Sequence, residues 1–114
     1  MSNTTMIVKV GPISYKLKVV DEIGDGDQQY DGWIDYANAR IEIAKGLDPQ
    51  FERAVVLHEV MHAVLKHAGQ DSKNEALITA LSYSLLDLIR NNPELIHYLI
   101  QSPLVLNGNG AHKG

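Results

Sequence analysis

The run from Asp48 to Gly69 constrains this chain more than any other stretch. Asp48-Pro49 reads as a helix start, with a side-chain acceptor at the N-cap and a proline in the first turn, where its missing N–H is not needed. No further glycine or proline interrupts the sequence until Gly69, which is a natural C-terminal stop. The apolar pattern continues to Ala68, and from Ala54 to Leu65 it is broken by three ionisable residues, His58, Glu59 and His62. Burying such groups in a helix is costly unless they are paired or bound to a metal.

Those three residues form the pattern His-Glu-x-x-His. On a helix, positions i and i+4 lie on one face, one turn apart. His58 and His62 can therefore occupy two corners of a metal tetrahedron with little strain. Glu59 lies about 100° around the helix from His58 and about 60° from His62. It borders the metal face without being forced to ligate, which suits a general base acting on a metal-activated water. With the chain's own His and Glu frequencies, a chance match has odds of about one in a hundred.

A catalytic zinc site needs a third protein ligand. The chain has no cysteine, so that ligand must be His, Asp or Glu. Three candidates follow the motif. His67 is about 180° from His58 on an unbroken helix and faces away, as a solvated histidine in a last turn where positive charge is favourable. Asp71 sits in the connecting turn and reads as a helix N-terminal partner. Glu75 falls on the apolar stripe of the next helix, on the side that packs against the first. It can reach the metal, or it can serve as the fourth member of a capping box, Ser72-Lys73-Asn74-Glu75.

The remaining pattern predicts an α+β domain. Met6 to Val10 and Ile13 to Val20, rich in β-branched residues around Gly11-Pro12, read as a hairpin. Trp33 to Tyr36 and Arg40 to Ala44 read as a second hairpin across Ala37-Asn38-Ala39, with Ile41 and Ile43 on one face and Arg40 and Glu42 on the other. Asp21 to Asp31 is loop, without the ligand spacing of a calcium-binding EF-hand. A second helix opens near Glu75 and ends near Asn91-Asn92-Pro93, and Pro93 to Ile100 can form a short third. The expected architecture is a small antiparallel sheet of two hairpins, packed on the metal-binding helix and a second long helix. It forms one domain over residues 1–105, with a flexible tail over 106–114.

A net charge of −4 argues against binding to duplex nucleic acid. The first residues carry no basic stretch or long apolar run of a secretory leader, and nothing approaches the roughly 18 apolar residues of a membrane span. A cytoplasmic protein acting on a protein or peptide, away from membranes, is the expectation; its oligomeric state stays open.

His58-Glu59-Val60-Met61-His62 followed by Asn74-Glu75 on the next helix resembles the gluzincin metallopeptidases, whose third ligand is a Glu from a following helix. The whole chain is similar to the short phage and prophage proteins grouped with the ImmA/IrrE-type metallopeptidases. That likeness runs through Gly32-Trp33-Ile34-Asp35-Tyr36 and Arg40-Ile41-Glu42-Ile43 to Asn92-Pro93-Glu94-Leu95. It implies a minimal zincin-like fold in a bacterial or phage-infected cytoplasm. It implies Zn2+ on His58, His62 and Glu75, Glu59 as base, and hydrolysis of peptide bonds.

Peptide hydrolysis also requires a donor to the developing oxyanion. Tyr36 and Tyr83 are candidates, although a packed tyrosine with a wet hydroxyl is the simpler reading of each. Arg40-Ile41-Glu42-Ile43 could receive an extended peptide if it is an edge strand. Two readings compete with the peptidase: a catalytically inactive zinc-containing binding module, and a metal hydrolase of a non-peptide substrate.

Overall fold

The computed structural model describes residues 5–21, 23 and 30–101. The central part of the acidic loop and the tail expected over 106–114 lie outside the described residues. Four strands and three helices follow in the order β1 (Thr5–Val10), β2 (Ile13–Val20), β3 (Gly32–Asp35), β4 (Arg40–Ala44), α1 (Pro49–His67), α2 (Glu75–Asn91) and α3 (Pro93–Leu99).

Both hairpins form. β1 pairs antiparallel with β2, Val8 opposite Tyr15, and Gly11 in the turn takes φ +58°. β3 pairs antiparallel with β4, Ile34 opposite Ile41. The Asp35 carboxylate closes the second turn: it accepts from the Asn38 backbone N–H at 3.2 Å and from Arg40 at 3.0 Å. Its pKa is held below the usual carboxylate value, first by the Asn38 side-chain amide, which donates to it at 2.9 Å, and then by Arg40.

The sheet is not the antiparallel one expected from the sequence. Its order is β1-β2-β4-β3, with β2 and β4 parallel, Leu17 opposite Ile41, so the sheet is mixed. β3 stands at the far edge of the sheet, and the second hairpin turns back from it to place β4 beside β2. β4 is consequently an interior strand, so the condition under which Arg40–Ile43 could receive a peptide is not met. The edges are β1 and the four-residue β3.

One sheet face is apolar and receives α1. Tyr15, Leu17, Ile41, Ile43 and Ala63 are at most 3% exposed and form the centre of the core with Val55. Full burial of an isoleucine contributes on the order of 1.5–3 kcal/mol, so Ile41 and Ile43 anchor α1 to the sheet. α1 packs on β1, β3 and β4; α2 packs on α1; α3 touches α2 alone among the described elements.

The helix ends follow the sequence signals with one shift. Asp48 accepts from the N–H groups of Gln50 and Phe51, and α1 stops before Gly69 at φ +77°. At α2 the N-cap is Asn74, whose side chain accepts from the Leu77 N–H at 3.0 Å. The expected capping box beginning at Ser72 does not form. Glu75 is the first helical residue and its carboxylate is left for other partners. No helix among the described residues is long and apolar enough to cross a membrane.

Candidate metal centre

The histidines of the motif lie where α1 meets α2. Glu75 Oε1 is 2.8 Å from His58 Nε2, Glu75 Oε2 is 3.1 Å from His62 Nε2, and the two Nε2 atoms are 3.3 Å apart. Donor atoms of the three residues lie within 4.8 Å of one another, close enough to bind one metal ion. A tetrahedral zinc with bonds near 2.0–2.1 Å has ligand–ligand edges of about 3.3 Å. The observed triangle needs little adjustment to accept it.

Outer contacts fix which nitrogens face inward. His62 Nδ1 is 2.7 Å from the Ser72 carbonyl oxygen. A carbonyl can only accept, so Nδ1 carries a proton, which leaves Nε2 as the atom that would ligate a metal. His58 Nδ1 has a similar, longer contact to Thr79 Oγ1 at 3.4 Å. Supporting partners of this kind orient ligating histidines. Two imidazole nitrogens and a carboxylate meeting at such distances form a cluster that a cation can satisfy.

Thr79 lies one helical turn after Glu75, so its place on the same face of α2 was legible in the sequence although unread. The Ser72 carbonyl is a backbone group placed by the α1–α2 connector, and no side-chain pattern announces it.

The other two ligand candidates are elsewhere. His67 points to the sheet side, as its helical angle requires, but it is not simply solvated: its Nε2 is 2.8 Å from the hydroxyl of buried Tyr15. Asp71 accepts from the Lys73 backbone N–H at 2.8 Å inside the connector, short of the first turn of α2.

Glu59 is buried, 8% exposed, with no protein hydrogen-bond partner recorded for its carboxylate among the described residues. Its pKa is pushed up to about 7, chiefly by burial; His62 opposes the shift and Glu75 adds to it. Its neighbour across the groove is Gly32, at the start of β3. A Cβ there would stand 2.6 Å from Val55 Cγ1 and 3.2 Å from Glu59 Cγ. The missing side chain lets the edge strand settle directly over Glu59, a requirement that the sequence reading did not identify.

A groove of about 850 Å³ opens above these residues, between β3, α1 and the start of α2. Both tyrosine candidates line it. Tyr36 is partly buried and its pKa is raised, mainly by burial; a hydrogen bond with Ser72 opposes this, and the Glu59 and Glu75 carboxylates reinforce it. Lys66 Nζ lies over the Tyr36 ring, 4.7 Å from its centroid. Tyr83 is 51% exposed on the α2 wall. Comparisons with protein-family models, curated proteins and solved structures found no match for this chain.

Proposed function

We propose that this protein is a zinc-dependent peptidase of minimal zincin-like, gluzincin type. The observation that carries the reading is the convergence of His58 Nε2, His62 Nε2 and a Glu75 oxygen beside the buried Glu59 carboxyl, in an open groove. The donor set, two imidazoles and one carboxylate without thiolate, suits zinc and matches that of known hydrolytic zinc sites. Zinc held there supplies Lewis-acid polarisation of a carbonyl and acidifies a water.

The chain's own residues account for the remaining tasks. Glu59 is the base that takes the proton of the attacking water and passes it to the leaving amine. Its burial makes it a good acceptor near neutral pH, since burial disfavours its charge. Tyr36 is the better oxyanion donor of the two tyrosines. Its hydroxyl is kept protonated and lies in the electrostatic field of both carboxylates, whereas Tyr83 stands out in solvent.

β3, the short edge strand above Glu59, is where an extended peptide can add as a further strand. This role, expected for β4 if it were an edge, passes to β3 because β4 is interior. A substrate threaded there runs through the groove past Glu59, which favours a peptide over a compact small molecule.

Glu59→Gln separates catalysis from binding. It keeps shape and hydrogen-bonding capacity but removes the basic carboxylate. Zinc should bind with near wild-type affinity while hydrolysis of a peptide library falls about 10²- to 10⁴-fold. Zinc loss in this variant would make Glu59 a ligand. A wild-type protein that binds zinc and peptides but cuts none would leave a binding module.

A further inference from the structure

α2 carries an apolar face that the metal site and the core do not use. Toward α1 it buries Ile78 and Ser82. Its only charged residues, Glu75, Asp87 and Arg90, fall within about 120° of arc on the groove side. The opposite sector is uncharged, and along its centre run Leu77, Leu81, Ser84 and Leu88. All four are exposed, the leucines by 46%, 37% and 46% in order.

Their spacing of +4, +3 and +4 is that of a two-stranded helical seam. It also reads the same in both directions. In an antiparallel pair of such helices, Leu77 meets Leu88 of the second copy and Leu81 meets Ser84, and each contact is made twice. A surface that is complementary to itself under a two-fold rotation is what a dimer of identical chains requires. The absence of charge from the sector matches the depletion of charged residues at interface centres.

The area needed points to α3 as well. Four seam positions supply at most a few hundred Å², below the ~800 Å² per partner of a standard interface. α3 is seven residues long, touches only α2 among the described elements, and exposes Leu95, Tyr98 and Leu99 by 40%, 50% and 62%. A helix so short does not hold itself in water. We infer that the uncharged face of α2, extended by α3, is the two-fold antiparallel interface of a homodimer. Glu75 and Thr79 lie on the other side of α2, so both grooves remain open in that dimer.

Sedimentation equilibrium of the full chain over a wide concentration range should show a monomer–dimer equilibrium. Leu81→Glu and Leu88→Glu should each raise the dissociation constant by about a hundredfold or more, leaving helical circular dichroism and zinc stoichiometry unchanged. The chain lacks cysteine, so engineered cysteines report geometry cleanly. The double variant Leu77→Cys/Leu88→Cys should form a reducible crosslinked dimer, while Leu77→Cys alone should not. Efficient crosslinking by Leu77→Cys alone means a parallel pair and overturns the inference. A monomer at every concentration overturns it too. If truncation after Gln101 then produces a dimer, residues 102–114 cover the face in the native chain.

Discussion

α1 has two working sides that differ in kind. On the sheet side, Val55 and Ala63 meet Tyr15, Leu17, Ile41 and Ile43, and the one nearby histidine, His67, bonds a phenol. On the α2 side, the helix presents His58, His62 and Glu59 to a carboxylate and a groove, and α2 itself buries only Ile78 and Ser82. The first side holds the domain together by apolar burial. The second spends buried area on polar groups that an apolar core would exclude, and is held by Nδ1 contacts to Ser72 and Thr79. The contrast teaches that one helix can be both wall of a core and floor of a site even though its polar arc (His58, His62 and Glu59) and its packing arc (Val55 and Ala63) overlap around the helix axis.

The sharpest break of this comparison comes from the ligands. His62→Ala and Glu75→Ala should each remove zinc binding at concentrations where the wild type is saturated, as measured by competition with a chromophoric chelator. Zinc should raise the melting temperature of the wild type by binding the folded state, and both variants should abolish that rise. If either variant retains wild-type affinity, the two-histidine, one-carboxylate set is wrong.

A core change should act oppositely. Ile41→Ala should lower unfolding free energy by about 2–5 kcal/mol in denaturant titration, while the molecules still folded bind zinc as before. Coupled loss of affinity in the folded fraction would show that the two sides of α1 are not independent.

His67→Ala tests the smaller polar feature of the packing side. It leaves the buried Tyr15 hydroxyl without its partner, which should cost about 1–3 kcal/mol of stability with zinc affinity unchanged. Weakened zinc binding here, with His62→Ala benign, would reverse the assignment of the helix faces.

The smallest effect belongs to the α2 cap. Asn74→Ala should cost about 1 kcal/mol, because one first-turn N–H loses its acceptor. Zinc affinity should stay near wild type, in contrast with Glu75→Ala one residue later. Equal damage from both would mean that Glu75 acts on the helix end and not on the metal.

Local chemistry made much of the molecule readable from the sequence alone. The span of α1 followed from Asp48-Pro49 and Gly69, both hairpins from their turns and alternation, and the shared face of His58 and His62 from helical periodicity. These signals operate within a few residues, where backbone stereochemistry dominates. The inward faces of Ile41 and Ile43 were legible for the same reason, since alternation in a strand is local.

Tertiary structure alone decided the rest. Whether Glu75 closes a capping box or turns its carboxylate toward His58 and His62 rested on whether Asn74 or Ser72 took the N-cap, and on how α2 lies against α1. Strand order turned on a non-local pairing: β2 joins β4 in parallel across the acidic loop, and no pattern inside either strand encodes a partner that distant. That pairing made β3 the edge over the groove. The close seat of Gly32 on Glu59 and the Ser72 carbonyl behind His62 exist only once the separate segments are packed, because each is a contact between a local structure and another one far away in sequence.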